Sequence, residues 1–358
     1  MDLAAYGWNE AWKAAFAAHA AEGLEPARVI CELRRKYYAV QTAAGERLGE
    51  CIGRLFHETV STALFPAVGD WVAVRVRPDG TRADIHAVLP RRTVFSRRAA
   101  GEQDIEQVVA ANVDTVLLVA GLDLNYNPAR IQRFLVAARE SGAEPVIVLN
   151  KADLHPDPAA VRAEIERLVP GVTVFVTSTT TRLGLKALSA YARPGQTLAL
   201  VGSSGVGKST LINRLAKEQA LPTGEVRAKD SKGRHTTTRR ELVLTPSGAL
   251  VIDTPGMREL QLWDAAEGVE AAFADIAALA VRCRFSDCQH ATEPGCAVRA
   301  AIEAGTLPPE RLTAYRKLKA TEAAELRRRD KAAESLSRAQ WKKIHQGQRA
   351  RRQFEQEP

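Results

Sequence analysis

Thr197-Leu198-Ala199-Leu200-Val201-Gly202-Ser203-Ser204-Gly205-Val206-Gly207-Lys208-Ser209-Thr210-Leu211-Ile212-Asn213 is the stretch that decides the fold. A short apolar run ends in G-x-x-x-x-G-K-S and passes directly into a helical pattern. This strand–loop–helix context is the one in which such a loop cradles phosphates. Its glycines let the backbone curl so that N–H groups face a β-phosphate, and the helix N-terminus adds partial positive charge. Gly202, Ser203, Ser204, Gly205, Val206, Gly207, Lys208, Ser209 and Thr210 are therefore the expected phosphate site. Lys208 would neutralise β/γ oxygens in the reaction, and the Ser209 hydroxyl would sit on Mg²⁺.

Working outward, Val251-Ile252-Asp253-Thr254-Pro255-Gly256 lies downstream. Asp253, at the end of an apolar strand, can hold Mg²⁺, and the Gly256 N–H can approach a γ-phosphate with no side chain in the way. Upstream, Asn150-Lys151-Ala152-Asp153 ends the apolar run Pro145–Leu149. The Asp153 carboxylate can accept from guanine N1–H and N2–H₂ together. Adenine offers no such pair and would leave a buried carboxylate unpaired, so the site selects GTP. The Lys151 stem would lie over the base and Asn150 would brace the loop. Val176-Thr177-Ser178 closes the next strand and offers a backbone N–H to guanine O6, with Ser178 preferred.

The order of these pieces is informative. Ras-like GTPases place the phosphate loop first and N-K-x-D last, whereas here Asn150–Asp153 precedes Gly202–Ser209. The same spatial site then requires a circularly permuted chain. Val113–Ala120, Pro145–Leu149, Thr173–Thr177 and Thr197–Val201 read as strands. Helices are expected at Pro128–Ser141, at Ala159–Leu168 and from Lys208, and a strand pair at Glu241–Thr245 and Ala249–Ile252. Apolar runs alternating with helical patterns describe an α/β domain with a largely parallel sheet.

Beyond the γ-phosphate motif stands Cys283-x₄-Cys288-x-His290-x₅-Cys296. Four ligands of this kind suit tetrahedral Zn²⁺ and leave no open position, so one structural zinc is expected. Cys31 and Cys51 fall in strand-like runs and are expected in a core. On the N-terminal side, residues 10–22 read as a short helix, with Trp12 and Phe16 four apart. Five β-rich runs follow, Arg28–Leu33, Lys36–Thr42, Glu50–Leu55, Asp70–Arg75 and Ala83–Val88, which suggests an oligonucleotide-binding (OB) barrel. Arg28, Arg34, Arg35, Lys36, Tyr37 and Tyr38 make it a candidate nucleic-acid surface. The Arg-rich 91–105 stretch reads as a connector.

The chain has 358 residues, 46% hydrophobic and 26% charged, which excludes wholesale disorder and provides for several domains. Five cysteines are too few for a disulfide scaffold. No targeting segment or membrane span is read, and the chain is expected to be cytoplasmic. The net charge is +8, and residues 311–358, with 14 Lys+Arg and 6 Asp+Glu, carry an excess equal to it. That segment is expected to touch phosphates.

The permuted order, the OB-like region and the cysteine–histidine cluster, together with Gly69-Asp70-Trp71-Val72 and Gly233-Arg234-His235-Thr236-Thr237-Thr238, closely resemble the RsgA (YjeQ) family of ribosome small-subunit-dependent GTPases. The resemblance implies a late assembly factor of the small (30S) ribosomal subunit that binds its rRNA and whose GTP hydrolysis to GDP is stimulated by that subunit. Five segments are expected: a helical extension over 1–23, the OB domain over 24–92, the permuted GTPase domain over 93–262, a zinc-binding helical domain over 263–330 and a basic tail over 331–358. A monomer is expected off the ribosome. Leu221–Arg240 has the composition of a switch loop, in which Thr237 is the preferred Mg²⁺ ligand, with Thr236 the alternative. His235 either packs in the loop or positions the attacking water. The second role matters because Met257 stands where many GTPases place a glutamine. Two other readings stay open: a GTPase of another RNA or translation step, and a GTP-gated RNA-binding protein that does not hydrolyse.

Overall fold

A computed structural model describes residues 2–34, 37–53, 62–98, 106–124, 126–218, 240–253, 269, 272–321, 323 and 327. Strands β1 (Glu25–Arg34), β2 (Tyr37–Thr42), β3 (Gly45–Cys51), β4 (Trp71–Val76) and β5 (Arg82–Val88) run in the order β1-β2-β3-β5-β4, and β4 returns to β1. Only β3 and β5 pair in parallel; the remaining pairs are antiparallel. This is a closed five-stranded barrel of the OB kind. Its interior is filled by alternate residues, among them Val29, Val40, Val72, Val74 and Ile85. The third strand begins at Gly45 rather than near Glu50, because Thr42↔Gly45 pairing closes a two-residue turn at Ala43-Ala44. Ala44-Gly45-Glu46 reads as a break in sequence, yet Gly45 and Glu46 already belong to the strand, opposite Thr42 and Gln41.

The second unit is built on β8 (Thr115–Gly121), β9 (Glu144–Asn150), β10 (Thr173–Val176), β11 (Thr197–Val201), β12 (Glu241–Leu244) and β13 (Leu250–Asp253). Their order is β10-β9-β8-β11-β13-β12, parallel except for β12. Both faces are covered, so β8 is apolar at every position after Thr115. Leu118 packs with Ile131 and Leu135 of α2 (Pro128–Ser141) and Ile165 of α3 (Pro158–Leu168). Leu117 and Val119 face the other way, toward α4 (Leu185–Leu188) and α5 (Lys208–Glu218). Helix α2 has the bounds its sequence signals: Asn127 caps it, Pro128 opens it, and Gly142, at φ 81°, ends it. The chain leaves β8 toward one edge and resumes at β11 on the other side. That places a switch point, where such sheets bind ligands, between β8 and β11.

The Arg-rich connector is not simply a linker. Within it β6 (Val94–Arg98) pairs antiparallel with β7 (Glu106–Ala111), and Phe95 is buried beneath them. The domains are tied at several points. The outer edge of β12 pairs with β1, making the barrel and the nucleotide sheet one sheet of eleven strands. Arg28 is fully buried and donates to the carbonyls of Tyr6, Gly69 and Asn112 and to Thr197 Oγ1. One guanidinium thus joins four chain segments, and burial lowers its pKa to about 10. Gly69 is needed at this joint, because a Cβ there would lie 2.1 Å from the Ala111 carbonyl oxygen. Beside it, burial pushes the Asp70 carboxyl up, opposed by Arg91. The N-terminal segment packs Trp8, Trp12 and Phe16 of helix α1 (Glu10–Ala21) and its lead-in around Trp71.

Helices α6 (Ala274–Ala280), α7 (Ala297–Glu303) and α8, over 309–321, form the third unit. Arg311 fastens it to the nucleotide domain, donating to Asp275 and to the carbonyls of Leu168 and Ala272. Among the described residues no helix is long and apolar enough to cross a membrane.

Candidate nucleotide and metal sites

The phosphate loop leaves β11 at the switch point and winds tightly against its neighbours. A Cβ on Gly202 would lie 2.2 Å from the Val119 carbonyl oxygen of β8. Gly205 and Gly207 hold φ of 80° and 96°, which side chains disfavour. Lys208 arches over the loop and donates to the Gly202 and Ser203 carbonyls at 2.7 and 2.6 Å. Arg130, on the first turn of α2, donates to Ser203 Oγ. Sequence reading missed Arg130, which lies 73 positions from Ser203 in the chain.

The base loop is braced against the phosphate loop. Asn150 is fully buried, and its Nδ2 donates to the Val206 carbonyl at 2.9 Å. A Cβ on Gly207 would come within 2.5 Å of that nitrogen, so the glycine makes room for the brace. Thr177 Oγ1 donates to Asn150 Oδ1 at 3.2 Å, and the Ala152 N–H to the Thr177 carbonyl at 3.0 Å. Lys151 is left-handed, at φ 62°, and its ammonium pairs with Asp123 at 2.6 Å. Ser178 Oγ donates to Asp153 Oδ1 and accepts from the Thr181 N–H at 3.0 Å. The Ser178 backbone N–H is engaged with the Leu183 carbonyl at 3.1 Å. Ser178 therefore contributes its hydroxyl, orienting Asp153. Asp123 is a further member of the site that no sequence motif marks, since it acts through a residue distant in the chain; Thr177, quoted in the sequence for a backbone N–H, contributes its hydroxyl to Asn150.

Asp253 ends β13, which lies next to β11 with Ala199 opposite Ile252. Ser209 stands exposed at the start of α5. A hydroxyl and a carboxylate are hard oxygen donors of the sort Mg²⁺ takes, so these residue types fit that ion. His235, Thr236 and Thr237, the stretch Gly233–Thr238, Gly256, Met257 and the tail 331–358 lie outside the described residues.

The four expected zinc ligands converge. Cys283 Sγ, Cys288 Sγ, His290 and Cys296 Sγ offer atoms that all lie within 4.8 Å of one another. Cys283 Sγ is 3.9 Å from Cys296 Sγ and 3.6 Å from His290 Nδ1, and Cys296 Sγ is 3.5 Å from that nitrogen. Thiolates about 2.3 Å from a tetrahedral zinc sit roughly 3.8 Å apart, so the cluster fits the ion. Burial raises the Cys283 thiol, but N–H groups of Ala297 and Val298 at the start of α7, with Cys296 and Cys288, bring it below the usual range. His290 is left-handed, at φ 59°, and its carbonyl accepts from Arg316 of α8.

The expected RNA-facing set needs correction. Arg28 is the buried interdomain donor described above and presents no charge outward. Tyr38 packs in the barrel core, where burial raises its hydroxyl pKa. Tyr38 lies on the inward face of its strand, whereas Arg28, between the barrel-core residues Ala27 and Val29, lies on the opposite face, which the N-terminal segment and the nucleotide domain cover. Tyr37 is half-buried, while Arg35, Lys36 and the Arg34 side chain lie outside the described residues.

Comparisons with known proteins agree with this geometry. The family described as RsgA GTPase matches residues 88–263. An ABC transporter family also matches, over residues 185–351, a stretch that holds the phosphate loop but not Asn150–Asp153. The small ribosomal subunit biogenesis GTPase RsgA of Opitutus terrae is 51% identical over 99% of both chains. That of Syntrophotalea carbinolica is 44% identical over 99% of both. The crystal structure of YjeQ from Thermotoga maritima superposes with a TM-score of 0.63 at 27% identity, covering 84% of this chain and 99% of that one. YloQ, described as a circularly permuted GTPase, superposes at 0.61 with 26% identity, covering 84% of this chain and 96% of that one.

Proposed function

The chain belongs to the RsgA GTPase family, a circularly permuted enzyme that hydrolyses GTP, and from that premise we propose that it acts in late maturation of the small ribosomal subunit, docking on that subunit and its rRNA as a cytoplasmic monomer whose turnover the subunit stimulates. The observation that carries the nucleotide reading is the Asn150–Val206 hydrogen bond, which sets the guanine loop and the phosphate loop side by side despite their reversed order.

Each residue then has a task. Asp153, oriented by Ser178, accepts from the guanine edge, and the Lys151 stem, held by Asp123, covers the base. With the Ser178 N–H engaged, the next backbone donor along the loop, that of Thr179, is the one offered to guanine O6. Gly202 to Gly207 give N–H groups to the phosphates, and Lys208 and Arg130 supply positive charge beside them. Ser209, Asp253 and Thr237 hold Mg²⁺, which neutralises charge developing on the phosphates when bound. The Gly256 N–H meets the γ-phosphate, and His235 aligns the attacking water in place of the glutamine that Met257 replaces. The zinc cluster is structural, since all four positions are filled by protein.

Sedimentation with purified small and large subunits, in the presence of a non-hydrolysable GTP analogue or of GDP, tests this reading. Binding to small subunits, favoured by the GTP form, is expected. Preference for large subunits, or binding blind to the nucleotide, would move the protein to another RNA process.

A further inference from the structure

Strand β12 has two partners with different duties. On one side it pairs with β13, Glu241 lying opposite Asp253. On the other it pairs with β1 of the barrel, Cys31 lying opposite the same Glu241. Cys31, Glu241 and Asp253 therefore stand in one row across three strands, spanning about 10 Å at ordinary strand spacing. One end of the row is the barrel; the other is the last residue of the strand that delivers the metal-side carboxylate.

The barrel strand is shaped for this contact. The register of β1 against β2 shifts between Val29 and Cys31 and again between Glu32 and Arg34. Two bulges thus bracket the Cys31–Glu32 pair, and bulges bend a strand and re-aim its side chains. The first half of β1 closes the barrel on β4, and the second half turns out to meet β12. Among the described residues, pairing of β1 with β12 rests on one Cα pair, too short a ladder to fix register alone. Beside it Arg240 donates to Glu32 at 2.9 Å, with side-chain exposures of only 13% and 34%.

The geometry points to Glu32 as a positioning residue for GTP hydrolysis: its ion pair with Arg240 locks barrel strand β1 to β12, so that a load on the barrel is delivered through the Cys31–Glu241–Asp253 row to the nucleotide site. The inference rests on the reading that the small subunit stimulates hydrolysis. It gives that stimulation a route through the backbone, and it requires no contact between Glu32 and nucleotide or RNA.

The test compares the full-length wild type, E32Q and the charge swap E32R/R240E. Intrinsic turnover, GTP affinity, subunit affinity and subunit-stimulated kcat are measured for each. E32Q is expected to keep intrinsic turnover, GTP affinity and subunit affinity while stimulated kcat falls at least tenfold. The swap is expected to recover most of that loss, which shows that pairing rather than folding is at issue. A merely structural ion pair would lower the melting temperature of E32Q and leave its stimulation intact, and that result overturns the inference. So does an E32Q loss that the swap, folded by circular dichroism, fails to recover. A wild type that small subunits do not stimulate overturns the functional reading itself, and a stimulated wild type beside an equally stimulated E32Q overturns the coupling alone.

Discussion

Asp153 and Asn150 divide recognition from architecture within one four-residue loop. Asn150 spends its amide on Val206 and Thr177 and leaves Asp153 to the base. Asp153→Asn is expected to weaken GTP binding roughly 100-fold, the worth of two charge-assisted hydrogen bonds, while improving xanthosine triphosphate binding, whose C2 oxygen needs a donor. Titration with both nucleotides checks this, and unchanged GTP affinity would remove Asp153 from the base site. His235→Ala is expected to lose most of any subunit stimulation, since water-positioning and charge-stabilising groups in related GTPases are worth about 10³–10⁵ in rate. Stimulation equal to wild type would pass that role to another group. Arg28 shows where single residues mislead. An arginine in a basic, aromatic stretch suggests RNA, yet its strand position turns it away from the barrel core and into the joint between domains, where it closes carbonyls from three segments. Arg28→Met should therefore cost about 3–5 kcal/mol of stability by leaving buried acceptors unpaired. Urea unfolding measures it, and a loss under about 1 kcal/mol would mean that the joint is held otherwise. The motif residues were legible because their chemistry is local. Asp123 and Arg130 were not, because each acts on a residue at least 28 positions away.

At the scale of elements, the zinc loop is a tie between short helices that have little core of their own. Cys296 caps α7 through its sulfur, and the His290 carbonyl is held by Arg316 of α8, so the ligands also fix helix ends. Cys288→Ala is expected to release the single zinc and unfold the 275–310 region while GTP binding persists, because the phosphate loop belongs to a different core. Metal analysis with nucleotide titration checks both halves; an unchanged zinc content would refute the ligand set. For the basic segment, truncation after Arg329 should flatten the salt dependence of subunit binding by about 0.7–0.9 in log–log slope for each phosphate left without its cation. An unchanged slope would make the segment a solvated extension. Helix α2 and strand β11 stood in the sequence with their final bounds, since caps and apolar runs are local signals. The hairpin β6–β7 was hidden, because an arginine-rich stretch looks like a linker until Phe95 is seen buried within the pairing.

For the whole molecule, permutation decides what the nucleotide site can move. The strand carrying Asp253 is followed by the zinc unit rather than by the rest of a nucleotide domain, and the barrel is joined to the same sheet through β12. The permuted order was legible because Asn150–Asp153 precedes Gly202–Ser209 in plain view. The eleven-strand continuity was not, since Cys31 and Glu241 are brought together by tertiary pairing alone. The central claim is that catalysis is incomplete until the small subunit engages these appended units. GTP turnover by the full-length chain, alone and with purified small or large subunits, tests it most directly. Slow turnover alone and with large subunits, rising by orders of magnitude with small subunits, is the predicted result. A rate equally fast without subunits, or one raised equally by either subunit, would contradict it.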